Sequence, residues 1–185
     1  MLAETGPAVA QACGVCREGL GGETPDLVMV YFSSRHAEHA AEVLRTARRE
    51  LRGAAMLIGV SAAGVICGGV EIERSPGVSV MAARLPGCTF HPFVSDDLPT
   101  LGLGAGDELE RMAAAIGADE NLLMTLLFAD GHTLPMVHLI PALNGCRARG
   151  AGGLPAGILV GGLASGGIGG ASAMLLQDRV LRHGA

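Results

Sequence analysis

The chain has 185 residues, of which 49% are hydrophobic and 17% charged, so it can bury the core of one ordinary domain. Its formal net charge of −5 argues against nucleic acid as a partner, because neutralising phosphates requires a basic face. The chain contains no lysine, which excludes Schiff-base and P-loop chemistry, since both need the lysine amine.

Cysteine usage and the first residues predict a reducing, cytoplasmic setting. The five cysteines form an odd set without framework spacing, and the N-terminus lacks a signal-peptide pattern. Cys13 and Cys16 form a CxxC inside a predicted helix, where a redox role is not expected. Residues 154–176 carry no charge, but seven of them are glycine, so we predict no membrane span.

The first half of the chain is predicted to alternate strands and helices. A continuous apolar run, DLVMVYF, at residues 26–32 is typical of a strand buried on both faces. Apolar residues then recur at helical spacing over residues 37–51, which predicts an amphipathic helix with Ser33 or Ser34 as its N-cap. The other predicted elements are a helix over residues 8–20 and strands over residues 54–59, 77–84 and 89–94.

The second half of the chain shows a similar order. Asp107 is predicted to cap a helix, with Glu110 completing a capping box. The run NLLMTLLF at residues 121–128 predicts a second buried strand, which leads into Asp130. The remaining predicted elements are a helix over residues 133–143 and strands over residues 158–160 and 173–181.

A turn of small residues follows a strand in each half. It reads GVSAAGVI at residues 59–66 and GGLASGGI at residues 161–168. The repetition predicts an α/β fold, a layered α+β sandwich of two pseudo-repeated strand–helix–strand–turn–strand units, with mixed sheets flanked by helices. We expect one domain over residues 1–185, with half-units at about 25–97 and 120–185.

These pieces resemble the N-terminal domain of the FIST family, named for F-box and intracellular signal transduction proteins. The motifs that carry the resemblance are DLVMVYFSSRH, IGVSAAGVICGGVEIE, GVSVMAARLPG, LLFAD and GGLASGG, in the family's order. The resemblance implies a sensory input domain that binds small ligands, with amino acids as candidates. The family continues into a further strand and a C-terminal FIST domain, so we expect either a truncated chain or a partner that supplies the rest.

The two small-residue turns are the first candidate ligand site. Small residues after a strand leave backbone N–H groups uncovered, and such groups can bind a carboxylate or phosphate. The alternative is that the glycines only allow tight turns and close strand approach. The candidate residues are Gly59, Ser61, Gly64, Gly162, Ser165 and Gly166.

Polar side chains at strand ends are the second candidate. Ser33, Ser34 and Arg35 lie where a strand meets a helix, and the arginine could pair with a ligand carboxylate. Asp130 holds the equivalent place in the second half. The alternative for these residues is helix capping by the serines and the aspartate, with Arg35 simply solvated.

Two further groups of titratable residues invite a chemical reading. Glu71 and Glu73 share one face of a strand and could receive an ammonium group or perform acid–base work, although a charged strand edge explains them equally. His36 and His39 are three apart, but no third ligand or HExxH motif accompanies them, so we predict exposed histidines and no metal site.

Together these observations predict a cytoplasmic sensory domain that binds a small polar metabolite between the two halves, without a cofactor and without enzymatic activity. One alternative is a metabolite-processing enzyme that uses Glu71 or His36. The other is an interaction scaffold that binds a protein partner or a second copy of the chain. Neither nucleic acid nor a membrane is a predicted partner.

Overall fold

The computed structural model describes residues 4–99, 106–147, 157–165 and 172–184. Helices and strands are mixed along the chain, as the α/β prediction requires, so the fold class is confirmed. The chain forms two compact units, and each is discontinuous in sequence. The first unit contains residues 1–90 and 164–183, and the second contains residues 91–163 and 184–185.

The described residues of the first unit form two α-helices, a five-stranded sheet and a separate hairpin. Its helices are α1 (Thr5–Gly19) and α2 (Ala40–Glu50), with a 3-10 helix at Ser34–His39 before α2. Its strands are β1 (Leu27–Ser33), β2 (Met56–Ala62), β3 (Gly64–Cys67), β4 (Val70–Glu73), β5 (Val78–Ala83), β8 (Met174–Leu176) and β9 (Arg179–Leu181). The sheet order is β5-β1-β2-β8-β9, with β1 and β2 parallel, and β3 pairs only with β4.

Small and aliphatic side chains fill the core of the first unit. Val9 and Cys13 of α1 are fully buried, as are Val43 and Ala47 of α2 and Phe32 of β1. Because the sequence has four Phe, one Tyr and no Trp, most of this core is aliphatic. Its β1 strand is almost continuously buried, as the unbroken apolar run predicts.

The end of the first unit differs from the sequence prediction. Residues 173–181, predicted as one strand, form the hairpin β8–β9, with Gln177 at its turn in a left-handed conformation of φ 53°. β8 pairs with β2, so it lies in the first unit, although the sequence repeat placed it in the second half. No short-range pattern reports a pairing between segments more than 110 residues apart.

Two smaller predictions in the first ninety-nine residues also differ. β2 continues through Ser61 to Ala62, where we predicted a turn, because β1 extends far enough to pair with both residues. Residues 89–94 form no strand. Pro92 lies within that segment and has no N–H group to donate to a neighbouring strand.

The second unit contains α3 (Gly106–Ala115), β6 (Met124–Ala129), α4 (Met136–Cys146) and β7 (Ile158–Leu163). β6 and β7 run parallel and form a two-stranded sheet. Its buried apolar cluster joins the helices to one face of this sheet. The cluster consists of Met112, Ile116, Leu127, Ala129, Leu139, Leu143 and Cys146.

One glycine stands at the same place in each parallel strand pair. Gly59 is the fourth residue of β2 and lies opposite Val30, the fourth residue of β1. Gly161 is the fourth residue of β7 and lies opposite Leu127, the fourth residue of β6. A Cβ on Gly59 would lie 2.6 Å from the Val30 carbonyl oxygen, and one on Gly161 would overlap the Leu127 carbonyl oxygen. Both glycines therefore permit a backbone approach that any side chain would block.

We predict that Gly59→Ala and Gly161→Ala each lower the free energy of unfolding by about 1–3 kcal/mol or more, because the new methyl group meets backbone rather than a movable side chain. Gly162→Ala is the matched control, since nothing lies within 4 Å of a Cβ at Gly162. Urea denaturation followed by circular dichroism measures the three values. Equal stability of the Gly59→Ala and Gly162→Ala variants would contradict the close-approach explanation.

Candidate functional site

The carboxyl edge of the parallel pair β1–β2 carries two buried serines. Ser33 ends β1, and its hydroxyl accepts a hydrogen bond of 3.0 Å from the Gly77 N–H. Ser61 lies near the end of β2, and its hydroxyl accepts a bond of 2.9 Å from the Ala173 N–H. Both serines are 1% exposed, so neither hydroxyl is open to solvent. Each joins a central strand to a segment distant in sequence.

The two small-residue segments meet at this edge. The Ser165 N–H donates to the Ser61 carbonyl oxygen at 3.1 Å, and the Ala63 N–H donates to the Ser165 hydroxyl at 3.2 Å. The Ser61 N–H donates to the Ala173 carbonyl oxygen at 2.8 Å. The structure thus brings Ser61 and Ser165 together across 104 positions of sequence by backbone hydrogen bonds.

These bonds change what the small-residue segments offer to a ligand. The amides of Ser61, Ala63 and Ser165, which the sequence suggested as an anion cradle, all donate within the protein. Gly59 and Gly64 lie inside strands, and a Cβ on Gly64 would lie 2.9 Å from the Ile72 carbonyl oxygen. At Gly59 and Gly64 the structure therefore agrees with the alternative explanation, in which a glycine allows two strands to approach closely.

The other glycines of the second segment lie elsewhere. Gly162 is an exposed residue of β7 in the second unit, whereas Ser165 belongs to the first unit. Gly166 lies outside the described residues. Of these residues, the structure joins Ser165 to the edge formed by Ser33 and Ser61.

Exposed side chains surround the buried serines. Ser34 follows the last residue of β1 and is half-buried, and Arg35 beside it is exposed. In the part of the chain that the structure describes, the Arg35 guanidinium makes no hydrogen bond or ion pair. Ser165 is also exposed. An exposed guanidinium of this kind is suited to a carboxylate.

Ser33 does not cap the following helix with its side chain. It occupies the N-cap position of the 3-10 helix, but its hydroxyl takes the Gly77 amide instead of an amide of the helix. The sequence thus predicted the position of the N-cap residue correctly, but its hydroxyl binds Gly77 and not an amide of the helix. The partner could not be read from the sequence, because Gly77 lies 44 residues away.

The two predicted acidic candidates lie in separate places. Glu71 is an exposed residue of β4 and lies opposite Ile66 in the β3–β4 hairpin. Asp130 is 4% exposed and follows β6 in the second unit. Its Oδ1 accepts the His132 N–H at 2.9 Å, and its carbonyl oxygen accepts the Thr133 N–H. Asp130 thus shapes the turn before α4, but it does not cap the helix as the alternative supposed, since the N-cap residue of α4 is Pro135.

His36 is the titratable residue that the sequence reasoning misjudged. We predicted an exposed histidine, but His36 is 1% exposed, and its Nδ1 lies 2.9 Å from the Thr5 hydroxyl at the start of α1. Its Nε2 is buried and has no hydrogen-bond partner among the residues that the structure describes. Burial lowers the pKa of His36, His39 lowers it further, and Glu42 acts in the opposite direction. The helical spacing from His36 to the buried Ala40 and Val43 could have revealed this position.

Three further features of the described residues are unconnected with the strand edge: metal-ligating side chains, the CxxC and an open cavity. No group of three metal-ligating side chains occurs within the described residues. The CxxC lies inside α1, where burial raises the pKa of Cys13 to about 12 and keeps its sulfur a thiol. An open cavity of about 520 Å³ lies at the amino ends of β1 and β2. Its lining includes none of the predicted site residues and consists of Arg17, Gly22, Glu23, Thr24, Pro25, Arg49, Glu50, Leu51 and Arg52.

The arginines around that cavity are engaged by the protein itself. The Glu50 carboxylate pairs with Arg17 at 3.3 Å and with Arg49 at 2.9 Å, which lowers the pKa of Glu50, chiefly through the hydrogen bond to Arg49. Both helices of the first unit end beside the cavity, and guanidinium groups there complement the negative ends of the helix dipoles. Ion pairs with Glu50 and the nearby helix ends therefore explain why arginines cluster beside this cavity.

The fold and this polar strand edge define a mixed α/β domain. A family model described as the FIST N domain matches residues 26–185. The chain belongs to the FIST N domain family, whose members are sensory domains in signal transduction. The resemblance identified from the sequence motifs is confirmed.

The chain is also similar to mycobacterial proteins. It is 33% identical over 176 residues to the uncharacterized protein Rv0628c of Mycobacterium tuberculosis, a match that covers 93% of this chain and 41% of the relative. It is 32% identical over 163 residues to the uncharacterized protein Mb0898c of Mycobacterium bovis, with coverage of 86% and 37%. The chain thus spans less than half the length of these relatives. No solved structure matches the chain significantly.

Within the described residues, no helix is both long enough and apolar enough to cross a bilayer.

We predict that Ser33→Ala and Ser61→Ala each lower the free energy of unfolding by about 1–3 kcal/mol, because each leaves a buried backbone amide without its acceptor. Ser34→Ala is the control, since that hydroxyl receives no buried amide in the described structure. Chemical denaturation of the three variants measures the effect. If Ser61→Ala proves as stable as Ser34→Ala, the hydroxyl–amide bond does not hold this edge together.

We also predict a pH dependence of stability that arises from His36. Its pKa is lowered in the folded state, so below about pH 6.5, the ordinary histidine value, the unfolded chain takes up a proton that the folded chain does not. The contribution is complete above that pH and is lost as the pH falls towards the folded-state pKa. The free energy of unfolding, measured between pH 8 and pH 5, should therefore fall less steeply for His36→Gln than for the parent. The exposed His138→Gln should keep the parental slope, and parallel slopes for all three proteins would contradict the assignment.

Proposed function

We propose that the chain is a sensory domain of intracellular signal transduction that binds a small anionic metabolite, with amino acids as the first class to test. The site is the carboxyl edge of β1–β2, where Ser34, Arg35 and Ser165 stand around the buried serines. In open α/β sheets, ligands bind beyond the carboxyl ends of parallel strands, because loops there are free to vary. Membership of the FIST N domain family supports the sensory role.

The observation that carries this proposal is the exposed guanidinium of Arg35, which has no hydrogen-bond or ion-pair partner among the described residues. An exposed arginine without an acidic partner can form a bidentate pair with a carboxylate at little cost in protein contacts. The neighbouring serine hydroxyls can donate to the same anion. The backbone amides of the two glycine segments are engaged elsewhere, so side chains take the role that the sequence gave to amides.

The bonds beneath this edge suggest how binding would be read out. The Ser165 N–H donates to the Ser61 carbonyl oxygen, the Ser165 hydroxyl accepts the Ala63 N–H, and Ser33 holds the segment before β5. A ligand that binds Arg35 and Ser165 together favours the arrangement in which these contacts are formed. Such a ligand shifts the population towards that arrangement, and a downstream region can respond to the shift.

The enzyme alternative has less support. Glu71 is exposed on a hairpin strand, and His36 is buried beside Thr5, so neither presents a paired acid and base at the strand edge. A separate observation favours the scaffold alternative: apolar side chains of β7, a strand of the second unit, are exposed.

We predict that Arg35→Ala weakens binding of a carboxylate ligand by at least tenfold, since a charge-assisted hydrogen bond contributes about 1.5–3 kcal/mol. Arg45→Ala is the matched control, because Arg45 is an exposed arginine on α2 outside the site. Isothermal titration against a panel of amino acids and organic acids supplies the ligand and the affinities. Failure of the folded protein to bind any panel member, or equal losses in the two variants, would contradict the proposal.

A further inference from the structure

The 3-10 helix at Ser34–His39 carries Arg35 and depends on other elements for its position. A 3-10 helix has poorer hydrogen-bond geometry than an α-helix and is used in short pieces, so it is weakly stable by itself. No side chain caps this one, because the hydroxyl of its N-cap residue Ser33 binds the Gly77 amide. Contacts from neighbouring elements therefore determine where the Arg35 guanidinium stands.

The buried anchor of this short helix is His36, the residue after Arg35. Its side chain is 1% exposed, and its Nδ1 lies 2.9 Å from the hydroxyl of Thr5, the first residue of α1. The other ring nitrogen has no hydrogen-bond partner among the described residues. Within that part of the chain, the Thr5 hydroxyl is thus the polar group that holds the imidazole ring.

The first turn of α1 is packed against the same region. Thr5 is 6% exposed, so its bond to His36 is shielded from water. A Cβ on Gly6 would lie 2.6 Å from the Glu42 Oε1, which places the carboxylate of this α2 residue against the start of α1. The first turn of α1 contains no acidic residue of its own, and a negative charge is favourable at a helix N-terminus. These contacts join α1 to the segment that carries Arg35.

Loss of the Thr5 hydroxyl would leave both nitrogens of a buried imidazole without a described partner. A buried polar group without a hydrogen bond is unfavourable, so the ring would turn towards water. Because Arg35 and His36 are adjacent in one short helix, movement of the ring and its backbone moves the guanidinium as well. A mobile guanidinium loses more conformational freedom when it binds an anion, and its affinity falls.

We propose that Thr5 is a positioning residue for the anion site at Arg35, so that the docking of α1 sets the affinity of that site. The inference rests on the proposed function, since it concerns the regulation of the same site. Thr5 acts through His36 and does not touch the ligand. The family model matches residues 26–185, so the family resemblance assigns no role to Thr5 or to α1.

Amide hydrogen exchange measured by NMR without any ligand tests the positioning itself. Thr5→Val keeps the shape of the side chain but removes its hydroxyl, and we expect the amides of residues 37–39 to exchange about tenfold faster or more. Thr5→Ser keeps the hydroxyl and should restore the parental rates. Val9→Ala is the matched control, because Val9 is a fully buried residue of α1 that makes no contact through a hydroxyl. Parental rates in Thr5→Val, or equal acceleration in Val9→Ala, would overturn the proposal.

Isothermal titration with L-glutamate, citrate and the rest of the panel tests the consequence for binding. Thr5→Val should weaken binding of the carboxylate about threefold or more, whereas Thr5→Ser and Val9→Ala should keep the parental affinity. In an Arg35→Ala background, Thr5→Val should cause no further loss, because Thr5 acts through Arg35. Additive losses in the double variant, or unchanged affinity in Thr5→Val, would overturn this inference alone. Failure of the parent to bind any panel member would instead contradict the proposed function, and this inference with it.

Discussion

The close contact between a glycine and a neighbouring carbonyl oxygen is the constraint on which both parallel strand pairs depend. Gly59 faces Val30 in β1, and Gly161 faces Leu127 in β6, at the same step of each pair. Any Cβ at either place would meet backbone, which cannot move aside without breaking the ladder. The glycine-rich segments recur in the sequence because the same strand contact is built twice. Their first role is therefore architectural.

This division of roles determines where a ligand can bind. Hydrogen bonds at Ser61 join the end of β2 to the segments that contain Ser165 and Ala173, so these groups are not available to a ligand. Buried hydroxyl–amide bonds of this kind fix geometry, because leaving either partner unpaired carries a desolvation penalty. The side chains that remain accessible at this edge are those of Ser34, Arg35 and Ser165, and Arg35 is the charged one. The proposed anion site therefore combines a strand edge fixed by buried hydrogen bonds with the exposed positive charge of Arg35.

Local patterns in the sequence predicted the elements that depend on local physics. The apolar run at residues 26–32 is β1, the amphipathic stripe over residues 37–51 contains α2, and the motifs identified the family before any coordinates. Long-range pairing was not predictable, because β8 reaches β2 from more than 110 positions away. The burial of His36 was missed because a histidine beside a helix start is usually solvated. Its partner Thr5 lies 31 residues earlier, beyond any local pattern.

The central claim is that the small-residue segments hold the fold together and do not present free amides to a ligand. Residue-resolved amide hydrogen exchange by NMR, in the absence of ligand, tests it most directly at Ser61, Ala63 and Ser165. The account predicts that these amides exchange much more slowly than solvent-exposed loop amides, since each donates to an acceptor within the protein. Exchange as fast as that of solvent-exposed loop amides would show that they are open, and would contradict the account.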